Sequence, residues 1–71
     1  MTLRELRLQA KKTVTEVATV LGKSQTAVYS YEQGARRLPL EDVLILAKFF
    51  DCTVEEVIKA QLVSIQIGQP D

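Results

Sequence analysis

The sequence predicts an all-α fold of five short helices followed by a short C-terminal β-strand. Three observations carry this. Thr2 with Glu5, Thr13 with Glu16 and Thr53 with Glu56 repeat one signature, a threonine followed three residues later by glutamate, which marks a capping box at a helix start. Between these starts the apolar residues recur at spacings of three and four, the period of a helix with one buried face. Beyond residue 61 the pattern changes, and Val63, Ile65 and Ile67 alternate with Ser64 and Gln66 as in a strand.

The elements follow in order. The first helix runs from about Leu3 to Ala10, with Leu3, Leu6 and Ala10 on the buried face and Arg7 beside them. The second spans about Val14 to Leu21, burying Val17, Ala18 and Leu21, and Gly22 stops it. The third is capped by Ser24 and ended by Gly34. Pro39 cannot continue a helix but can open one, so the fourth begins near Leu40 and reaches Phe50. The fifth follows the Thr53 cap to about Gln61. The expected organisation is therefore one domain over residues 1–61 and a tail over 62–71 that either pairs as a strand or frays.

Composition narrows the function classes. The 71 residues include no histidine and one cysteine, Cys52, so neither a disulfide framework nor a zinc site is expected, and no cofactor is implied. Cys52 reads as a small buried hydrophobe or, less simply, as a redox sensor. The longest apolar run, Val43 to Ala47, is far too short for a membrane span, and Arg4, Glu5 and Arg7 stand where a signal peptide needs apolar residues. A cytoplasmic protein is expected. An enzyme is not: there is no Gly-rich phosphate loop, and Glu55 and Glu56 sit side by side in a helix start rather than facing each other. Net charge is zero, yet residues 1–37 carry +4 and residues 38–71 carry −4. A basic half can meet phosphate while the acidic half faces away.

Residues 24–34 are the most informative stretch. Val28 and Tyr31 lie three apart and can be buried together, while Gln25, Thr26, Tyr29 and Ser30 present uncharged hydrogen-bonding groups on other faces. Such a surface suits base edges, since glutamine offers a donor and an acceptor together to adenine. Lys23 on one side and Arg36 and Arg37 on the other add basic flanks. Helices two and three, separated only by Gly22 and Lys23 before the Ser24 cap, have the spacing of a helix-turn-helix.

The ordered set Leu6-Arg7, Thr13, Glu16-Val17-Ala18, Leu21-Gly22, Ser24-Gln25, Val28, Tyr31-Glu32, Gly34, Pro39, Leu46-Ala47 and Val54-Glu55-Glu56-Val57 resembles the XRE family of helix-turn-helix domains, which includes phage repressors and Cro proteins. The resemblance covers about residues 3–60 and implies a lambda-repressor-like domain whose third helix enters the major groove of double-stranded DNA. It places base reading on Gln25, Thr26 and Ser30, with Ala27 close enough to touch a thymine methyl. Tyr29 would contact a base or the backbone, or simply cover apolar surface. Phosphate contacts fall to Lys23, Arg36, Arg37 and Lys11, and to the helix starts at Thr13, Val14 and Ser24. Arg7 and Glu32 would form a structural ion pair, and Tyr31 would fill a core position with its hydroxyl in need of a partner. Three positions depart from the family pattern. Val14 stands where a glutamine often braces the first glutamine of the reading helix, Asp51 stands where glycine is common, and Cys52 replaces an aliphatic residue.

The C-terminal third has more apolar surface than one small core requires. Phe49, Val63, Ile65 and Ile67 are the expected dimer contacts, the tail pairing with its symmetry mate to set two reading helices about 34 Å apart on a palindromic operator. The function these features imply is sequence-specific, homodimeric transcriptional regulation at the nucleoid, by repression, with activation left open. The alternative is an antitoxin or other regulator whose fourth and fifth helices hold a second protein.

Overall fold

A computed structural model describes residues 1–68. Five helices follow one another: α1 (Leu3–Gln9), α2 (Val14–Leu21), α3 (Gln25–Glu32), α4 (Leu40–Phe49) and α5 (Val54–Gly68). All three threonine–glutamate pairs form capping boxes. Thr2, Thr13 and Thr53 accept the amides of Glu5, Glu16 and Glu56, whose carboxylates accept the threonine amides in return.

The helix ends are equally regular. Lys11, Gly22, Gly34 and Asp51 all take positive φ, at 60°, 66°, 78° and 55°. At each, the next amide reaches back five residues, as in Lys12 to Arg7, Lys23 to Ala18, Ala35 to Ser30 and Cys52 to Ala47. This is the Schellman turn, which satisfies the last carbonyls of a helix and turns the chain sharply. Four helices thus end by one device, and the short connections it permits hold α2 against α3 and α4.

The core gathers one face of every helix, including Leu6, Val17, Val28, Leu46 and Val57, the last with no exposed surface. Burying a valine completely contributes about 1.5–3 kcal/mol. Tyr31 is 3% exposed and lies among them.

The predicted C-terminal strand is not present among the described residues; α5 continues without interruption through Gly68. The reason lies in the continuing helical period. Val57, Ala60, Gln61, Ser64 and Ile65 fall on one face and are all buried, whereas the alternation of Val63, Ile65 and Ile67 splits into a half-buried, a buried and an exposed residue. Polar anchors reinforce the helical choice. Ser64 Oγ accepts the Leu3 amide at 3.0 Å, and Gln61 Oε1 accepts the amide of Leu38. The last three residues of the expected tail, 69–71, lie outside the described residues.

Gly34 sits at the junction of these parts. A Cβ built on it would fall 2.7 Å from Ile65 Cα and closer still to the Ser64 carbonyl oxygen. Glycine is required there twice, for its positive φ and for the approach of α5.

Candidate nucleic-acid interface

Helix α3 is held from both ends. At its start Ser24 Oγ accepts the Ala27 amide, giving the N-cap. At its end the Glu32 carboxylate receives Arg7 Nε at 2.6 Å and Arg7 Nη2 at 3.3 Å, while Arg7 Nη1 donates to the Lys12 carbonyl at 3.0 Å. Both side chains are 9% exposed. One guanidinium therefore ties the end of α3 to the α1–α2 turn, with a planar fork that matches the carboxylate.

The outward face of α3 carries Gln25, Thr26 and Tyr29, all exposed, and half-buried Ser30. None bears a charge. Ala27, which the family resemblance places near a thymine methyl, is instead 7% exposed and packed in the core. Two positions along a helix rotate a side chain by about 200°, so Ala27 faces away from Gln25. Tyr29 is 48% exposed.

Gln25 is not left loose. Its Nε2 donates to Thr15 Oγ1 at 3.0 Å, from the first position of α3 to the second position of α2. Val14, at the position where a glutamine brace is common, is half-buried against the core. Thr13 and Thr15 remain exposed beside it, and the first amides of α2 have no acceptor within the helix.

The basic residues divide into two kinds. Lys11, Arg36 and Arg37 are exposed, and the Arg36 guanidinium lies 5.7 Å from the centre of the Tyr31 ring, a distance at which cation and ring attract. Lys23 is engaged within the protein. Its Nζ lies 3.1 Å from Asp42 Oδ2 and 3.4 Å from the Tyr31 hydroxyl. The hydrogen bond to Asp42, and after it that to Tyr31, raises the Lys23 ammonium above its ordinary pKa. Asp42 has a side chain only 4% exposed, so Lys23 neutralises a carboxylate that α4 buries.

The expected dimer contacts scatter. Ile65 is in the core at 8% exposure, Val63 and Phe49 are half-buried, Phe49 lies under the Lys12 ammonium at 4.6 Å, and Ile67 is 71% exposed. Exposed aliphatic surface lies elsewhere, at Leu40 and Leu44 of α4 and Ile58 and Leu62 of α5.

Sequence reasoning missed Thr15, Asp42, Gln61 and Ser64. A cleft of about 560 Å³ beside α1, lined by Leu6, Phe50, Cys52 and Lys59 among others, shares no residue with the α3 face. Burial, and then the nearby Glu56 carboxylate, pushes the Cys52 thiol up from its ordinary pKa, the direction that disfavours the nucleophilic thiolate.

A family model described as helix-turn-helix matches residues 3–57. The chain is 30% identical over 56 residues to YobD of Bacillus subtilis, described as an uncharacterized HTH-type transcriptional regulator. That alignment covers 79% of this chain and 50% of the relative, so the chain spans about half the relative's length. No solved structure matches the chain. Among the described residues, no helix is long and apolar enough to cross a membrane.

Proposed function

This chain belongs to the helix-turn-helix family of the XRE type, and from that premise we propose that it is a transcriptional regulator that reads operator DNA with α3. The observation that carries the reading is the α3 face itself. Gln25, Thr26 and Tyr29 are exposed and uncharged on a helix whose other sides are fixed by the core and by Arg7 and Glu32. A rigid neutral polar surface discriminates between bases, because each unmatched donor or acceptor costs binding energy once water is excluded. Arg36 and Arg37, with Lys11, supply the phosphate contacts that position it, joined by the Thr13, Val14 and Ser24 helix starts.

The protein acts as a homodimer on a palindromic site and represses by excluding polymerase. Exposed Leu40 and Leu44 on α4, with Ile58 and Leu62 on α5, supply apolar surface for the second copy. Selection of binding sites from random duplexes tests the whole reading. Enrichment of a palindrome with half-sites one helical turn apart is the expected result; no enriched sequence would sink it. Sedimentation equilibrium reads the stoichiometry, and a monomer both free and on DNA would remove the dimer.

A further inference from the structure

Arg36 and Arg37 follow one another after α3, carry the same charge and are both exposed. Their attachments differ. The Arg36 amide donates to the Ser30 carbonyl at 3.3 Å, and the Arg36 guanidinium lies 5.7 Å from the centre of the Tyr31 ring. Both anchors belong to α3. Among the described residues, Arg37 has neither a backbone hydrogen bond of this kind nor an aromatic ring beneath its guanidinium.

The surroundings of Tyr31 suit it to hold a cation. The residue is 3% exposed, so the packed core fixes the ring and the ring cannot follow the arginine. Lys23 approaches the same tyrosine at its hydroxyl, with Nζ 6.0 Å from the ring centre, but its charge is offset by Asp42 at 3.1 Å. The ring therefore remains attractive to a second cation. A guanidinium rests on an aromatic ring by its flat face, which leaves the N–H donors at its edge free for phosphate oxygens.

We propose that Tyr31 is a positioning residue for DNA binding: its ring seats the Arg36 guanidinium against the end of α3, so that Arg36 meets phosphate already ordered, whereas Arg37 is ordered only on contact. The proposal rests on the DNA-binding function given above, which supplies the phosphate. Freezing a long side chain at an interface costs binding energy, and an arginine already seated has lost part of that freedom in the free protein. Because both anchors of Arg36 lie on α3, its phosphate contact moves as one body with the base-reading face.

The first test needs neither a variant nor DNA. Nitrogen-15 relaxation of the free wild type is expected to show Arg36 Nε more ordered than Arg37 Nε, and equal disorder overturns the proposal. The second measures binding to one duplex of fixed sequence at low salt, below the melting transition of every variant. Tyr31→Leu is expected to weaken binding about fivefold, the cost of one side chain left to be ordered on contact. The same substitution made on Arg36→Ala is expected to cause no further loss, and made on Arg37→Ala to cause the full fivefold loss again. Tyr31→Phe keeps the ring and is expected to bind as the wild type does. An equal loss in the Arg36→Ala background, or a loss in Tyr31→Phe, overturns the positioning role while leaving DNA binding intact. Should Tyr31→Leu not fold, the relaxation measurement decides. A wild type that binds no duplex overturns both the positioning role and the function on which it rests.

Discussion

Ser64 Oγ accepts the backbone N–H of Leu3 at 3.0 Å and so ties α5 to the first turn of α1. Ser64 is 2% exposed, and an amide left without its acceptor at such a site loses its hydration with no return. Ser64→Ala is expected to lower unfolding free energy by about 1–3 kcal/mol, read from the urea midpoint at unchanged slope. Truncation after Gln61 is expected to cost more, because Ile65 leaves the core as well. A truncated chain as stable as the full one would contradict the role given to the end of α5.

Gly34 and Gly22 make an internal comparison. Both have positive φ, but a Cβ at Gly22 meets nothing within 4 Å, whereas at Gly34 it meets the backbone of α5. Gly22→Ala is expected to cost about 1–2 kcal/mol, the conformational penalty alone. Gly34→Ala adds a collision with main chain that has no rotamer to escape into, and the difference between the two midpoints measures it.

The Arg7–Glu32 pair should show the asymmetry of buried charges. Arg7→Met leaves a carboxylate stranded and is expected to cost about 3–5 kcal/mol. The double variant Arg7→Met with Glu32→Leu should recover much of that loss, since the uncompensated charge is gone. Denaturation of the wild type, Arg7→Met, Glu32→Leu and the double variant closes the cycle; additive losses would mean that the two residues act independently.

Lys23 and Arg37 should part company in salt titrations. Arg37→Ala is expected to weaken binding to all sequences alike and to reduce the slope of log K against log salt by about one unit. Lys23→Met is expected to leave the slope unchanged and to lower the melting temperature instead, because its ammonium serves Asp42. A slope change with unaltered melting would return Lys23 to the phosphate contacts.

The capping carboxylates give stability a pH dependence of definite sign. Hydrogen bonds from the threonine amides and hydroxyls hold Glu5 and Glu16 below the ordinary glutamate value of 4.5. Depressed folded values mean that the stabilisation is complete above 4.5 and disappears as pH falls through the lower folded values. Unfolding monitored by circular dichroism should lose stability over that acid window. Glu5→Gln with Glu16→Gln should flatten the dependence there.

Helix starts and stops were legible because they rest on local chemistry. A threonine with a glutamate three residues on can satisfy two amides without help from the rest of the chain, and Gly22 and Gly34 take positive φ at no steric cost. The end of α5 was not, since five residues of alternating character satisfy two periods at once. The choice between them depends on distant partners, the amides of Leu3 and Leu38. In the candidate site, the polar face of α3 could be read from residue type and spacing, and so could the burial of Val28 and Tyr31. The Lys23–Asp42 and Gln25–Thr15 contacts could not, because each joins two helices whose relative placement only the packed core determines.

The reach of α5 across Gly34, Leu38 and Leu3 also governs timing on the ribosome. At about 5–20 residues per second, roughly two to six seconds of synthesis separate Gly34 from Ile65. Throughout that interval α3 is fully translated but has no α5 to seat against. Packing of α3 is therefore completed late, and interrupted translation products that carry α3 intact lack the helix that seats it.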